Sequence, residues 1–365
     1  MLVSLQLGSL IAPAYACGCG AMVVNRNSQV RVEHETSAVS WNGSTEQIVM
    51  QLTVRGNAPE AAWIMPVPHR ATVELGDASL FSDLETLTAP VYETRHYFWP
   101  RADDWPFGGS GNTVGDGAAA PSAAAPVEVV GRERLGPFDV ARLAATDPAA
   151  LEDWLGENGF ELPDRLSTAL RPYVEQKWEY VAVRLAPREK GTGRLSGTLD
   201  PLRLRFASDR LVYPMRLSRL AATPQSLSLY VLAAHRMEPR TAIGGQRPEV
   251  MYAGRVDPRR EAEPYRALEA LTGGKPVFVT AIDQSFPQPK LISGDHELRA
   301  TAADTPYRTT YYEDELLTVG GAPAWVLSLL GGAAVVAAAV LWTLRARHRR
   351  PVLPPPPVTV PPPLN

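Results

Sequence analysis

Cysteine is almost missing from this 365-residue chain: there are two, Cys17 and Cys19, with one glycine between them. Two thiols cannot staple a disulfide-rich scaffold. Lysine is scarce as well, with only Lys177, Lys190, Lys275 and Lys290 among 36 cationic residues. Since Ala, Pro and Gly are abundant, this arginine bias reads as codon composition rather than recognition. Positive charge is not in surplus, 36 Lys and Arg standing against 39 Asp and Glu. That removes the electrostatic footprint of a nucleic-acid binder. The motifs of common enzyme classes are absent too: there is no nucleophile elbow, no phosphate-binding loop and no dinucleotide fingerprint. Gly273-Gly-Lys-Pro276 lacks the leading glycine spacing and reads as a turn. No cofactor is therefore expected. At 45% hydrophobic and 21% charged residues the chain is too apolar for disorder and too polar for a multi-span membrane protein. Its length suits one large domain or two ordinary ones.

Charge is also missing locally. No Asp or Glu follows Glu315, and Ala324–Leu344 (AWVLSLLGGAAVVAAAVLWTL) contains no charge at all. A helix of this length spans roughly 31 Å, about the thickness of a bilayer's hydrocarbon core. Trp325 and Trp342 stand near its two ends, where indoles favour the interfaces, and Arg345, Arg347, Arg349 and Arg350 follow at once. The positive-inside rule predicts a single-pass anchor with residues 345–365 in the cytoplasm and everything before Ala324 outside. Pro351–Asn365 carries eight prolines and reads as an extended, solvated tail. At the other end, Met1–Ala16 is apolar, with Ala14 and Ala16 forming a small-residue cleavage pattern before Cys17. A signal peptide over residues 1–16 is expected, although no Lys or Arg precedes Arg26 to supply a basic leader. The external part is then residues 17–323.

Within that part, Glu46–Arg55 alternates with period two and predicts a half-buried strand. Ala61–Pro68 is an apolar extended run whose two prolines belong at a sheet edge or strand end. Asp77 is a suitable cap for a helix over about Ala78–Thr88, and Val91–Trp99 alternates again as a strand. Residues 101–126 are dominated by Gly, Ala, Pro and Ser, which predicts a long flexible loop. Asp147-Pro148 opens a helix that Asn158-Gly159 ends, and Asp164 caps another that contains Pro172. Strand-like runs occupy Val127–Val130, Phe138–Leu143, Trp178–Leu185, Leu202–Phe206, Leu211–Leu217, Ser226–Leu232 and Val277–Ile282. The clean alternation of Leu202, Leu204 and Phe206 against Arg203 and Arg205 suggests an antiparallel sheet with one solvated face. Strands interrupted by short helices, without βαβ alternation, define an α+β fold class: an antiparallel β-rich domain plus one C-terminal transmembrane helix.

Several segments together resemble the bacterial family of unknown function DUF2330. These are Cys17-Gly18, "AAWIMPVP" (Ala61–Pro68), "LEDWLGENGFELP" (Leu151–Pro163), "YVAVRL" (Tyr180–Leu185) and "GTLDPLRLRFASDRLVYPMRLSRL" (Gly197–Leu220). The resemblance covers roughly residues 17–235. It departs at the cysteines, which the family often places farther apart. It implies an exported, often membrane-anchored bacterial domain, and it brings no activity, ligand or catalytic residue.

Three readings compete for Cys17 and Cys19: a strained, labile disulfide, a soft-metal site that adds a Met or His, or a processing junction at Ala14, Ala16 and Cys17. His34 in Glu33-His-Glu lacks the second histidine of a zinc helix, position 38 being Ala. His296, between Asp295 and Glu297, reads as part of a solvated turn. The aromatic run Tyr92, His96, Tyr97, Phe98 and Trp99, with Trp105 beyond it, is the best candidate contact surface, the bland alternative being a core strand. The sequence favours a membrane-anchored binding or structural module that meets the bilayer through one span and an unidentified envelope ligand or protein. An envelope hydrolase with an unrecognised site, or a thiol or metal module at Cys17 and Cys19, are the alternatives.

Overall fold

A computed structural model describes residues 15–17, 19–25, 28–101, 104, 133–135, 138–143, 148–185, 194–260 and 265–348. The expected strand at Val127–Val130, most of loop 101–126 and the proline-rich tail lie outside the described residues. The chain divides into two compact units, residues 1–91 with 123–309, and residues 92–122 with 310–365.

In the larger unit, one sheet runs edge to edge through Tyr15–Cys17, Gly20–Val23, Ala61–Val67, Glu179–Leu185, Phe138–Leu143 and Glu133–Leu135. A second sheet runs Tyr307–Arg308, Glu249–Val256, Val277–Phe286, Gln225–Ala233, Val30–Trp41, Thr45–Gly56, Leu202–Ala207 and Thr72–Leu75, with Gly197–Thr198 also paired to Thr45–Gly56. Its ladders are antiparallel except where Gln225–Ala233 meets Val30–Trp41 in parallel register. A small sheet joins Leu211–Tyr213, His296–Ala300 and Met237–Pro239.

Side chains alternate across each strand, and the alternation builds four layers. Trp63, Met65, Val181 and Val183 of the first sheet share a core with Ile48, Met50, Leu204, Leu229 and Val231 of the second. Their neighbours Ala62, Ile64, Tyr180 and Ala182 point the other way, onto helices α2 (Pro148–Glu157) and α3 (Asp164–Glu175). On the far side of the second sheet, Ala38, Val49, Leu232 and Val279 pack under helices α1 (Ser79–Thr88) and α4 (Arg266–Thr272). The order is helices, sheet, sheet, helices. The expectation of one solvated sheet face holds at the Leu202–Ala207 and Thr72–Leu75 margin and is corrected at the centre, where strands such as Ala61–Val67 are buried on both faces. The α+β, strand-rich class stands.

Most local signals work as their chemistry dictates, but Asp164 is a correction: it is the first residue of α3, preceded by Pro163, which offers no side-chain cap bond. Asp77 Oδ1 accepts the Ser79 backbone N–H at 2.9 Å and the Ser79 hydroxyl at 2.8 Å. Gly159, after α2, holds φ at +79°, the left-handed region a capping glycine enters without strain. The two prolines of Ala61–Pro68 also obey their limits. The Gly20–Val23 ladder stops at Ile64, so Pro66 lies beyond the reach of that strand. One expected strand is cut short: Leu211–Leu217 is extended only over Leu211–Tyr213, and Arg216–Leu220 forms a 3-10 turn.

In the smaller unit, Val91–Tyr97 pairs with Thr310–Leu316, and Thr318–Val319 pairs with Ala322–Pro323 through the turn at Gly320 and Gly321. Helix α5 (Ala324–His348) follows directly.

Candidate functional site

The surface that carries the sequence's candidate contact residues is the strand pair of the smaller unit. A two-stranded ribbon has no interior, so alternation cannot hide its aromatic rings. Val91–Tyr97 is exposed along almost its whole length, as is Thr310–Leu316. Tyr92 and Trp99 are 64% and 63% exposed, which decides against the core-strand alternative. Tyr92 stacks at a tilt on Tyr311 with centroids 5.7 Å apart, and Phe98 meets Trp99 edge-on at 5.1 Å. The Arg95 guanidinium lies 3.3 Å above the Tyr312 ring, and that of Arg101 lies 4.1 Å above Tyr97.

Charge organises the end of this ribbon. Asp104 accepts the Tyr97 hydroxyl at 2.7 Å and the Arg101 backbone N–H at 2.6 Å. The Arg101 N–H and then the Tyr97 hydroxyl hold the Asp104 carboxyl below the usual range, and the bond to Asp104 pushes the Tyr97 phenol up. Arg101 Nη1 also pairs with Asp314 Oδ2 at 2.7 Å. Trp105 lies outside the described residues, so four of the five proposed contact aromatics (Tyr92, Tyr97, Phe98 and Trp99) share this ribbon.

Helix α5 extends the expected span of Ala324–Leu344 by one turn, to His348, and its most apolar 18 residues have a mean hydropathy of 2.2. Apart from Ala324 its residues are exposed or half-buried, Trp342 to 72%. Its hydroxyls are satisfied within the helix, Ser328 donating to Ala324 O at 2.9 Å and Thr343 to Val340 O at 2.8 Å. That arrangement suits a medium without water. Trp325 stands in the first turn, and Arg345 and Arg347 in the last; Arg349 and Arg350 lie outside the described residues.

The cysteine candidates sit elsewhere. Cys17 ends the edge strand Tyr15–Cys17, which also contains Ala16, while Ala14 lies outside the described residues. Cys19 is buried: its backbone N–H donates to Glu35 Oε1 at 3.1 Å, and its sulfur lies 3.4 Å from Met50 Sδ. Tyr213 donates its hydroxyl to the same Glu35 oxygen and bonds Ser37 Oγ at 2.6 Å. Burial, followed by the nearby Cys19 and Glu35, drives the Tyr213 phenol far up. Among the described residues no group of three or more His, Cys, Asp or Glu is placed to hold a metal ion.

Sequence reasoning missed this polar knot because of a register shift. Val30 and Val32 face the core at even positions, but the ladder slips between Val32 and His34, which turns Glu35, Ser37 and Val39 inward instead. His34 stays on the surface beside Ser226 Oγ at 3.2 Å.

His296 is a correction. It opens a strand and is buried, its Nε2 lying 2.8 Å from Gln284 Oε1. The Gln284 amide nitrogen donates to Gly244 O and Gln246 O, which leaves its oxygen to accept from Nε2–H. Burial lowers the His296 pKa to about 4. The neighbouring Asp295 ties layers together through one oxygen, accepting the Tyr173 hydroxyl at 2.6 Å and the Met215 and Arg216 backbone N–H groups at 2.9 Å.

The larger unit also has open clefts. One of about 380 Å³ lies on the Leu202–Ala207 margin and is lined by Arg70, Arg203, Arg205 and Glu74. Arg203 Nε donates to Gln47 Oε1 at 3.1 Å, and Arg70 faces Glu179 at 3.4 Å. Another, of about 280 Å³, is lined by Leu151, Leu170, Val174 and Tyr180.

With this geometry in place, comparison with known proteins gives the class. The chain belongs to the DUF2330 family, described as an uncharacterized protein conserved in bacteria, which it matches over residues 13–299. The match ends before the ribbon strand Thr310–Leu316 and helix α5. No curated protein matches the chain. The crystal structure of baculovirus P35 aligns with 77% of this chain and 97% of its own at 7% identity, with a TM-score of 0.30, too low to carry an argument.

Proposed function

We propose that the protein is a non-catalytic binding or structural module of the bacterial cell envelope, held by helix α5 with residues 17–323 outside the cytoplasm and residues 345–365 inside. The observation that carries this reading is α5 itself: an uncharged segment as long as a bilayer is thick, mostly exposed beyond its first turn, with Arg345 and Arg347 in its last turn. The exposed ribbon Tyr92–Trp99 supports a binding role, because rigid aromatic side chains anchor interfaces at low entropic cost. The inward-facing Cys19 supports a structural thiol over a redox or metal module.

Removal of residues 1–16 completes the reading. Cleavage after Ala16 leaves Cys17 alone of the Tyr15–Cys17 strand, so Gly20–Val23 becomes the edge of its sheet in the mature chain.

Protease treatment of intact cells tests the arrangement. A C-terminal tag should stay protected while the body is digested, and the mature chain should begin at Cys17 by mass. A body that resists digestion in intact cells and is cut only after lysis overturns it.

A further inference from the structure

We propose that Phe98, Trp99 and Val319 form an interfacial foot, seated in the headgroup layer of the bilayer beside the first turn of α5. The proposal rests on the reading of α5 as a membrane span.

The geometry supplies the continuity. Leu317 donates its N–H to Tyr97 O at 2.8 Å and accepts the Ala324 N–H on its own carbonyl at 2.8 Å. Residue 317 therefore links the end of the Val91–Tyr97 strand to the first residue of the apolar helix. Where the span begins, the membrane's polar layer begins. That layer is roughly 6 Å thick on each side, the difference between a whole bilayer and its hydrocarbon core. Phe98 and Trp99 are the next two residues after Tyr97, each adding about 3.3 Å of extended chain. They cannot lie far from that level.

Their chemistry fits it. Trp99, Val319 and Phe98 are 63%, 59% and 36% exposed, apolar groups open to the surroundings at the level where the proposed lipid interface lies. Indole carries an apolar ring and one N–H donor, the combination that settles at membrane–water boundaries. The edge-on contact with Phe98 presents the two rings together. The turn at Gly320 and Gly321 places Val319 on the short hairpin that leads into α5.

Charge selects the kind of surface. Glu313, Asp314 and Glu315 lie on the adjacent strand, against Arg95 and Arg101. A locally acidic ribbon gains nothing from anionic headgroups, so the foot fits a zwitterionic interface held by indole and apolar burial.

The full chain, labelled with 5-fluorotryptophan and placed in phosphatidylcholine nanodiscs, tests this by fluorine NMR. Single variants W99F, W325F and W342F assign the lines in the unsubstituted protein, and W99Y assigns the first if W99F misfolds. The expected result is loss of the Trp99 line with a headgroup nitroxide lipid, as for Trp325, and its survival with a water-soluble nitroxide. If the soluble reagent erases Trp99 while the lipid reagent still erases Trp325, the foot is wrong and the span stands; a protein then becomes the candidate occupant of the patch. If the lipid reagents leave Trp325 and Trp342 untouched, the span fails and takes the foot with it.

Discussion

His296 has one ring nitrogen against Gln284 Oε1 and the other, Nδ1, in the interior with no hydrogen-bond partner among the described residues. A proton on Nδ1 would put an unsolvated charge inside the fold. With an ordinary value of 6.5 and a folded value of about 4, the unfolded chain binds the proton more readily between those two pH values. This group's stabilisation is therefore complete above pH 6.5, is lost as pH falls towards 4, and changes no further below that. The loss amounts to about 3 kcal/mol. Glu46 runs the other way: burial raises its carboxyl well above the usual range, against the opposing bond from Val212 N–H, so folding favours its protonated form. The replacement His296→Gln separates the two. Melting midpoints taken across pH 7 to 4 should fall less steeply in the variant than in the unsubstituted protein; equal slopes would show that His296 takes up no proton on unfolding. None of this was legible in Gly294-Asp-His-Glu, where two acidic neighbours suggest water. The burial comes from a strand pairing with Leu211–Tyr213, more than eighty residues earlier in the chain.

At the scale of elements, close approach between strands matters more than propensity. Gly20 lies in the Gly20–Val23 strand, where a Cβ would fall 2.6 Å from both the Ile64 carbonyl oxygen and the Trp63 indole nitrogen. The carbonyl is backbone in a fully buried strand and cannot swing aside. Gly20→Ala should therefore destabilise the larger unit by about 1–3 kcal/mol, the usual cost of overpacking. A thermal melt checks it, and an unchanged midpoint would mean that the Tyr15–Val23 hairpin does not pack as described. The ends of elements were easier to anticipate. Asp77 and Gly159 act through bonds and dihedrals a few residues away, so their roles are written locally. The strand Val30–Trp41 is different. Its register shift turns Glu35 inward, and nothing in the run Val30–Glu35 marks where the period slips.

For the whole molecule, α5 makes little use of the rest of the chain, since only Ala324 is buried. A chain ending at Pro323 should leave the membrane fraction and keep its melting midpoint within about 2 °C, because the three cores of the larger unit draw nothing from α5. A drop of several degrees in a soluble, monomeric truncate would show that the helix supports the fold. Sequence by itself determined the long apolar helix, its basic end, the Asp77 bonds before α1 and the left-handed Gly159 after α2, because hydropathy over twenty residues and turn chemistry are local quantities. Tertiary structure alone decided that the central strands are buried on both faces, that Glu35 and His296 lie inside, and that Phe98 and Trp99 are exposed where the strand Val91–Tyr97 ends. Each of these depends on which distant strand arrives alongside, and a chain's own periodicity does not record its partners.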